Sequence, residues 1–191
     1  MKITRKLLAI LLSLVILAST ATVFAVQAQH GRNEPNGSKN DKDDNEGNGE
    51  FEARLNGFQQ VPGIISNGTG SFTAVLNPDG VSVNYTLSYS ELGSTAHFAH
   101  IHVGQTGVNG AVIVFLCGGG GKPDCPASGS VSGRLTSSDV KAIADQGVTA
   151  GNFNQLLLAL RHGIAYLNVH TTNFPNGEIR GQIHFNEEDN D

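Results

Sequence analysis

The chain has no tryptophan, only two cysteines and a single methionine, the initiator Met1, and only 12 of its 191 residues are basic. Each shortage excludes something. Two cysteines cannot build a cysteine-rich module or a cysteine-rich zinc cluster. None lies near the candidate leader cleavage region, which removes the thioether-lipid attachment of a lipoprotein. The scarcity of lysine and arginine against 17 acidic residues gives a formal charge of -5, so nucleic acid is an unsuitable partner.

The first 28 residues begin with Lys2, Arg5 and Lys6 and run into an apolar core from Leu7 to Leu17, the pattern of a secretory signal. Val26 and Ala28 supply small residues for cleavage after Ala28; Val23 and Ala25 offer a second choice. An uncleaved anchor over Leu7 to Val26 is the competing reading, diluted by Ser13, Ser19, Thr20 and Thr22. Cleavage would remove three basic residues and no acidic one, leaving a net charge of -8 and no membrane segment. Residues 29–49 contain no aliphatic or aromatic side chain and cannot offset the entropy of ordering, so they read as a disordered acidic linker. His30, Asp41, Asp43, Asp44 and Glu46 in it lack EF-hand spacing. Residues 187–191 form a short acidic tail.

From Glu50 to Asn186 the pattern changes to short apolar alternations separated by glycine and asparagine turns. FEARLNG, GSFTAVL, VSVNYTLSY, HFAHIHV, AVIVFL, GSVSGRL, IAYLNVH and EIRGQIHF are eight expected strands. Asn77-Pro78-Asp79-Gly80 is a tight turn, with proline preset for the bend and glycine free to take positive φ. TSSDVKAIADQG, with Thr136 and Asp139 as a capping pair, and NFNQLLLALRHG, with Asn152 as cap and Gly163 as stop, predict two short helices. The expected fold is an antiparallel Greek-key β-sandwich of the superoxide dismutase or immunoglobulin kind, with these helices in its connections.

His100-Ile101-His102 with Gly104, Gly107 and Gly110, then Asn168-Val169-His170-Thr171 followed by Pro175, Gly177, Glu178, Ile179, Arg180 and Gly181, resemble the CHRD domain, first recognised in chordin and present in many microbial exported proteins. The resemblance runs from about Phe51 to Phe185 and implies an exported single-domain member. It implies no activity, because the domain carries no established biochemical role. Chordin's growth-factor antagonism is associated with cysteine-rich modules that this chain lacks, so that role does not transfer.

Alternation along a strand puts His100 and His102 on one face, with His97, Ala99 and Ile101 on the other. In IAYLNVH, Ala165, Leu167 and Val169 read as a core face, leaving Tyr166, Asn168 and His170 opposite. Neighbouring strands would let His170 join His100 and His102, and such a set suits copper or zinc. His-x-His also resembles the copper strand of copper/zinc superoxide dismutases, but no histidine between His102 and His162 can supply a bridge. The competing reading makes the three histidines register-fixing residues bonded to backbone carbonyls, Thr171 and Asn168. His162 is placed to meet the negative end of a helix dipole; His184 and His30 face solvent.

Other motifs lack a complement. Glu178 and Arg180 share a strand face with Gln182, but no second carboxylate is placed for acid–base work, so an ion pair or hydrogen-bonded rung is expected. Ser94, Ser128 and Ser130 have no elbow motif. The Gly104, Gly107, Gly110 series enters a strand, not a helix, so it is no phosphate loop. Cys117 and Cys125 enclose GGGGKPD, and in an exported chain this spacing predicts a disulfide stapling a flexible glycine tip that could serve as a contact surface, at roughly 2 to 3 kcal/mol by loop entropy. The functional expectation is a noncatalytic extracellular module that meets a protein, glycan or matrix partner, with a mononuclear copper or zinc site as the alternative.

Overall fold

A computed structural model describes residues 49–127 and 129–186. The signal and its cleavage site, all but the last residue of the linker, and the acidic tail lie outside the described residues. No helix among the described residues is long and apolar enough to cross a membrane.

The described chain is all-β and antiparallel. Its strands are β1 (Glu50–Asn56), β2 (Thr69–Leu76), β3 (Ser82–Ser90), β4 (Ala96–Val103), β5 (Val112–Cys117), β6 (Gly129–Thr136), β7 (Ala165–Thr171), β8 (Ile179–Gln182) and β9 (His184–Asn186), with one α-helix, α1 (Phe153–Arg161). The hydrogen-bonded order is β5-β4-β7-β8-β1-β2-β3-β6, with β9 paired to β1. Two separate sheets are therefore not what the pairing produces. One continuous sheet, joined where Asn56 of β1 pairs with Arg180 of β8, curls into a nearly closed barrel whose end strands β5 and β6 approach each other.

The core follows from period-2 alternation. β1 buries Phe51, Ala53 and Leu55, β2 buries Phe72, Ala74 and Leu76, and β4 and β7 add Ala99, Ile101, Leu167 and Val169 to the same apolar cluster. Full burial of one such large side chain contributes about 1.5 to 3 kcal/mol. Tyr85 and Tyr89 can join this cluster because their hydroxyls donate to Leu116 O (2.9 Å) and Pro126 O (2.6 Å). The Asn77 turn forms as expected, with Gly80 N–H donating to Asn77 O at 2.9 Å and Gly80 at φ +67°.

Three local expectations are corrected. EIRGQIHF divides into β8 and β9. The segment 136–147 forms two 3₁₀ turns, Ser137–Asp139 and Ala144–Gln146, in place of a helix. Asp139 does accept from the Thr136 N–H at 2.8 Å. The Lys141 N–H, however, donates to Ile113 O of β5 (2.9 Å), and Ile143 forms an isolated bridge with Val148, so backbone groups an α-helix would need are taken by β5 and by that bridge. The second helix forms as α1, with Asn152 accepting from Gln155 N–H at 3.2 Å and Gly163 at φ +63°. It sends Phe153, Leu156, Leu157 and Leu160 into the core.

The third correction is the glycine tip. Cys117 and Cys125 are bonded, with their Cα atoms 5.0 Å apart, and both are buried. The loop they close lies over Phe115: a Cβ on Gly119 would meet that ring at 2.6 Å. Lys122 pairs with Asp139 at 2.8 Å. The loop is packed on its neighbours, not an unattached tip.

Candidate metal centre

β4 and β7 run antiparallel, with Phe98 opposite His170, His100 opposite Asn168 and His102 opposite Tyr166. The face turned away from the apolar core therefore carries two rows, Phe98, His100 and His102 on one strand and Tyr166, Asn168 and His170 on the other. Arg180 and Gln182 extend these rows onto β8, opposite Asn168 and Tyr166. An outer sheet face is ordinarily wet. Here His100, His102, Asn168, Arg180 and Gln182 are all buried. His97 sits in the register shift between Ala96 and Phe98, where it is exposed and its Nε2 lies 2.8 Å from Thr172 Oγ1, and so it lies neither on the core face nor at the cluster.

The cover over this face explains the glycine series. Gly104 and Gly110 are points of backbone contact: a Cβ on Gly110 would lie 1.7 Å from Val103 O, and one on Gly104 would lie 3.0 Å from the Tyr166 ring. Gly107 takes φ +78° at the turn between them. Arg180 clamps the loop. Its guanidinium donates to Asn109 Oδ1 (3.1 Å), Gln105 O (3.2 Å) and Val108 O (2.9 Å) and stacks on Tyr166 with Cζ 3.5 Å from the ring centre. Tyr166 in turn lies parallel to His102, with ring centres 4.6 Å apart and planes at 3°.

Glu178 and Arg180 do not form the expected ion pair. Glu178, fully buried, accepts from Ser66 Oγ (2.5 Å), Gly93 N–H (2.7 Å) and Thr171 Oγ1 (2.7 Å), which ties two loops to the end of β7. Gln182 makes no side-chain rung either: its Nε2 donates to the backbone carbonyls of Gly104, Gly163 and Ala165. Arg180 and the loop it clamps were missed as site residues. The signal for them was present in the resembling motif, where Arg180 and the glycines belong to the same set.

Within this enclosure His100, His102 and His170 present ligand atoms that all lie within 4.8 Å of one another. The ring nitrogens are divided between two tasks. His102 Nδ1 lies 2.9 Å from Gly110 O and His170 Nδ1 lies 2.9 Å from Pro175 O. A carbonyl only accepts, so both Nδ1 atoms carry the proton and both Nε2 atoms present a lone pair. His100 Nδ1, His102 Nε2 and His170 Nε2 are buried and have no hydrogen-bond partner. The carbonyl bonds of His102 and His170 are of the kind the register-fixing reading expected, whereas Thr171 bonds Glu178 and Asn168 accepts from Gln60 Nε2 at 2.8 Å, so these two do not serve the histidines.

The electrostatics keep the rings neutral. Burial, then the charges of His170 and His102, push His100 down to about 3. Burial also lowers His102 to about 4 against the opposing bond from Gly110, with His170 and Arg180 adding to the depression. His170 is lowered by burial as well. A neutral imidazole is the form that ligates a metal.

The fold and this site define an all-β, disulfide-closed domain with a covered three-histidine cluster on one outer sheet face. Residues 51–183 match the family profile of the CHRD domain, and the chain belongs to that family. No curated protein and no solved structure matches it.

Proposed function

We propose that this CHRD domain works outside the cell as a noncatalytic binding module whose bound species is a single copper or zinc ion, held by His100, His102 and His170. The reading rests on one observation: three histidines offer ligand atoms within 4.8 Å of one another, and each has a buried ring nitrogen without a hydrogen-bond partner. A buried polar atom left unpaired costs about 1 to 3 kcal/mol. A cation would turn three such costs into three bonds. The backbone carbonyls on His102 and His170 are the outer partners that usually orient a ligating histidine. The Cys117–Cys125 bond suits an oxidising compartment.

Metal analysis and calorimetry of untagged protein test the reading. One equivalent of copper or zinc should bind and raise the melting temperature by mass action. His170→Ala should abolish that gain while the metal-free fold persists. Melting that ignores stoichiometric copper and zinc would reduce the cluster to architecture.

A further inference from the structure

The charge around the cluster discriminates among the ions it could hold, and the argument rests on the metal-site reading above. The three donors are imidazoles, and the tautomers of His102 and His170 let them ligate through Nε2 without becoming anions. Among the described residues no carboxylate or thiolate belongs to the group. Glu178 spends its oxygens on Ser66, Gly93 and Thr171, and both cysteines are in the disulfide. The donor set therefore brings no negative charge to offset a cation.

A fixed positive charge stands beside it. Arg180 is 2% exposed, and its guanidinium donates to neutral acceptors, Asn109 Oδ1, Gln105 O and Val108 O. The ion pairs among the described residues, Lys122 with Asp139 and Arg134 with Asp79, do not involve it. Only the Tyr166 ring separates this guanidinium from His102, in a continuous stack. An ion at the cluster must thus be desolvated next to a buried cation. Both the desolvation cost and the repulsion rise with the charge on the ion.

Coordination number points the same way. Zinc held by three histidines takes a water as its fourth ligand and divalent copper favours a tetragonal set, whereas the cluster by itself supplies three nitrogens. Monovalent copper has a filled d shell, carries half the charge and accepts three nitrogen donors. We infer that the site selects copper in its monovalent state, and that Arg180 is a positioning and field-setting residue for that selectivity.

Anaerobic titration of untagged protein with Cu(I), in competition with a chromogenic Cu(I) chelator, and parallel titrations with Cu(II) and Zn(II) test this. One equivalent of Cu(I) should bind at least a hundredfold more tightly than Zn(II). Arg180→Met should lower the ratio of Cu(I) to Cu(II) affinity at least tenfold, a fall of about 59 mV in the midpoint potential of the bound couple. Arg180→Lys keeps the charge while losing the clamp geometry, and should retain most of the ratio. Stoichiometric binding with Zn(II) or Cu(II) equal to or tighter than Cu(I) overturns the inference and leaves the metal site standing. Failure of all three ions to bind overturns both. If the Arg180 variants do not fold, the affinity order of the unaltered protein decides.

Discussion

The two faces of the β4–β7 pair are made by the same residues' alternation, yet they are different materials. Inward, Ala99, Ile101, Leu167 and Val169 are completely buried among other apolar side chains. Outward, His100, His102, Asn168, Arg180 and Gln182 are buried almost as fully, but by loops and among polar groups. The inner face is stabilised by removing hydrocarbon from water, which needs no particular geometry. The outer face must satisfy each polar atom individually, and it leaves three histidine nitrogens and Gln182 Oε1 without a partner. Burial alone therefore does not distinguish core from site. The identity of the unpaired atoms does.

The sharpest way to separate the faces is to truncate one residue on the inner side. Ile101→Ala should cost about 2 to 5 kcal/mol in denaturant unfolding, because it leaves a cavity in a completely buried position. The loss should be the same with and without metal and across pH. A metal-dependent loss would show that the two faces are mechanically coupled.

On the outer side the largest purely structural effect should come from Glu178→Ala, which strands the donors of Ser66, Gly93 and Thr171. A cost of about 2 to 4 kcal/mol in thermal or urea unfolding is expected from those unpaired groups. A change below about 0.5 kcal/mol would mean that the loops re-solvate freely.

Acid should weaken the outer face before the inner one. The folded-state values of His100 and His102 lie near 3 and 4, below the ordinary value of 6.5, so as pH falls the unfolded chain takes up protons first. Stability of the metal-free domain is then complete above about pH 6.5 and declines as pH falls toward the folded values. The slope should be on the order of 1 kcal/mol per pH unit for each of these histidines. Replacing His100 with phenylalanine should flatten it, and an unchanged slope between pH 6.5 and 4.5 would refute the assignment.

The smallest effect belongs to the exposed hydroxyl rungs on the opposite side of the barrel. Thr86 Oγ1 and Ser132 Oγ are 3.1 Å apart and open to water, so Thr86→Ala should change stability by less than about 0.5 kcal/mol. A larger loss would show that this outer face too is structured by its polar groups.

Alternation and turn chemistry made most of the fold legible from residues alone. The first seven strands, the Asn77 turn, the capped helix α1 and the disulfide all depend on local spacing, and each appears where that spacing put it. The same alternation aligned His100 with His102 and placed His170 on the matching face of its own strand, because side-chain direction has a period of two whatever the neighbours are. What spacing could not reach was anything set by partners distant in sequence. The 136–147 segment lost its helix to a strand edge, Glu178 and Arg180 found separate partners in three loops, and one sheet replaced two. Only the tertiary structure decided that the outer face would be covered, because its cover comes from the glycine loop at 104–110 held by a guanidinium more than 70 residues away. That cover turned three aligned histidines into three buried, neutral and unpaired nitrogens, since an imidazole on an open face would have met its bonding needs with water.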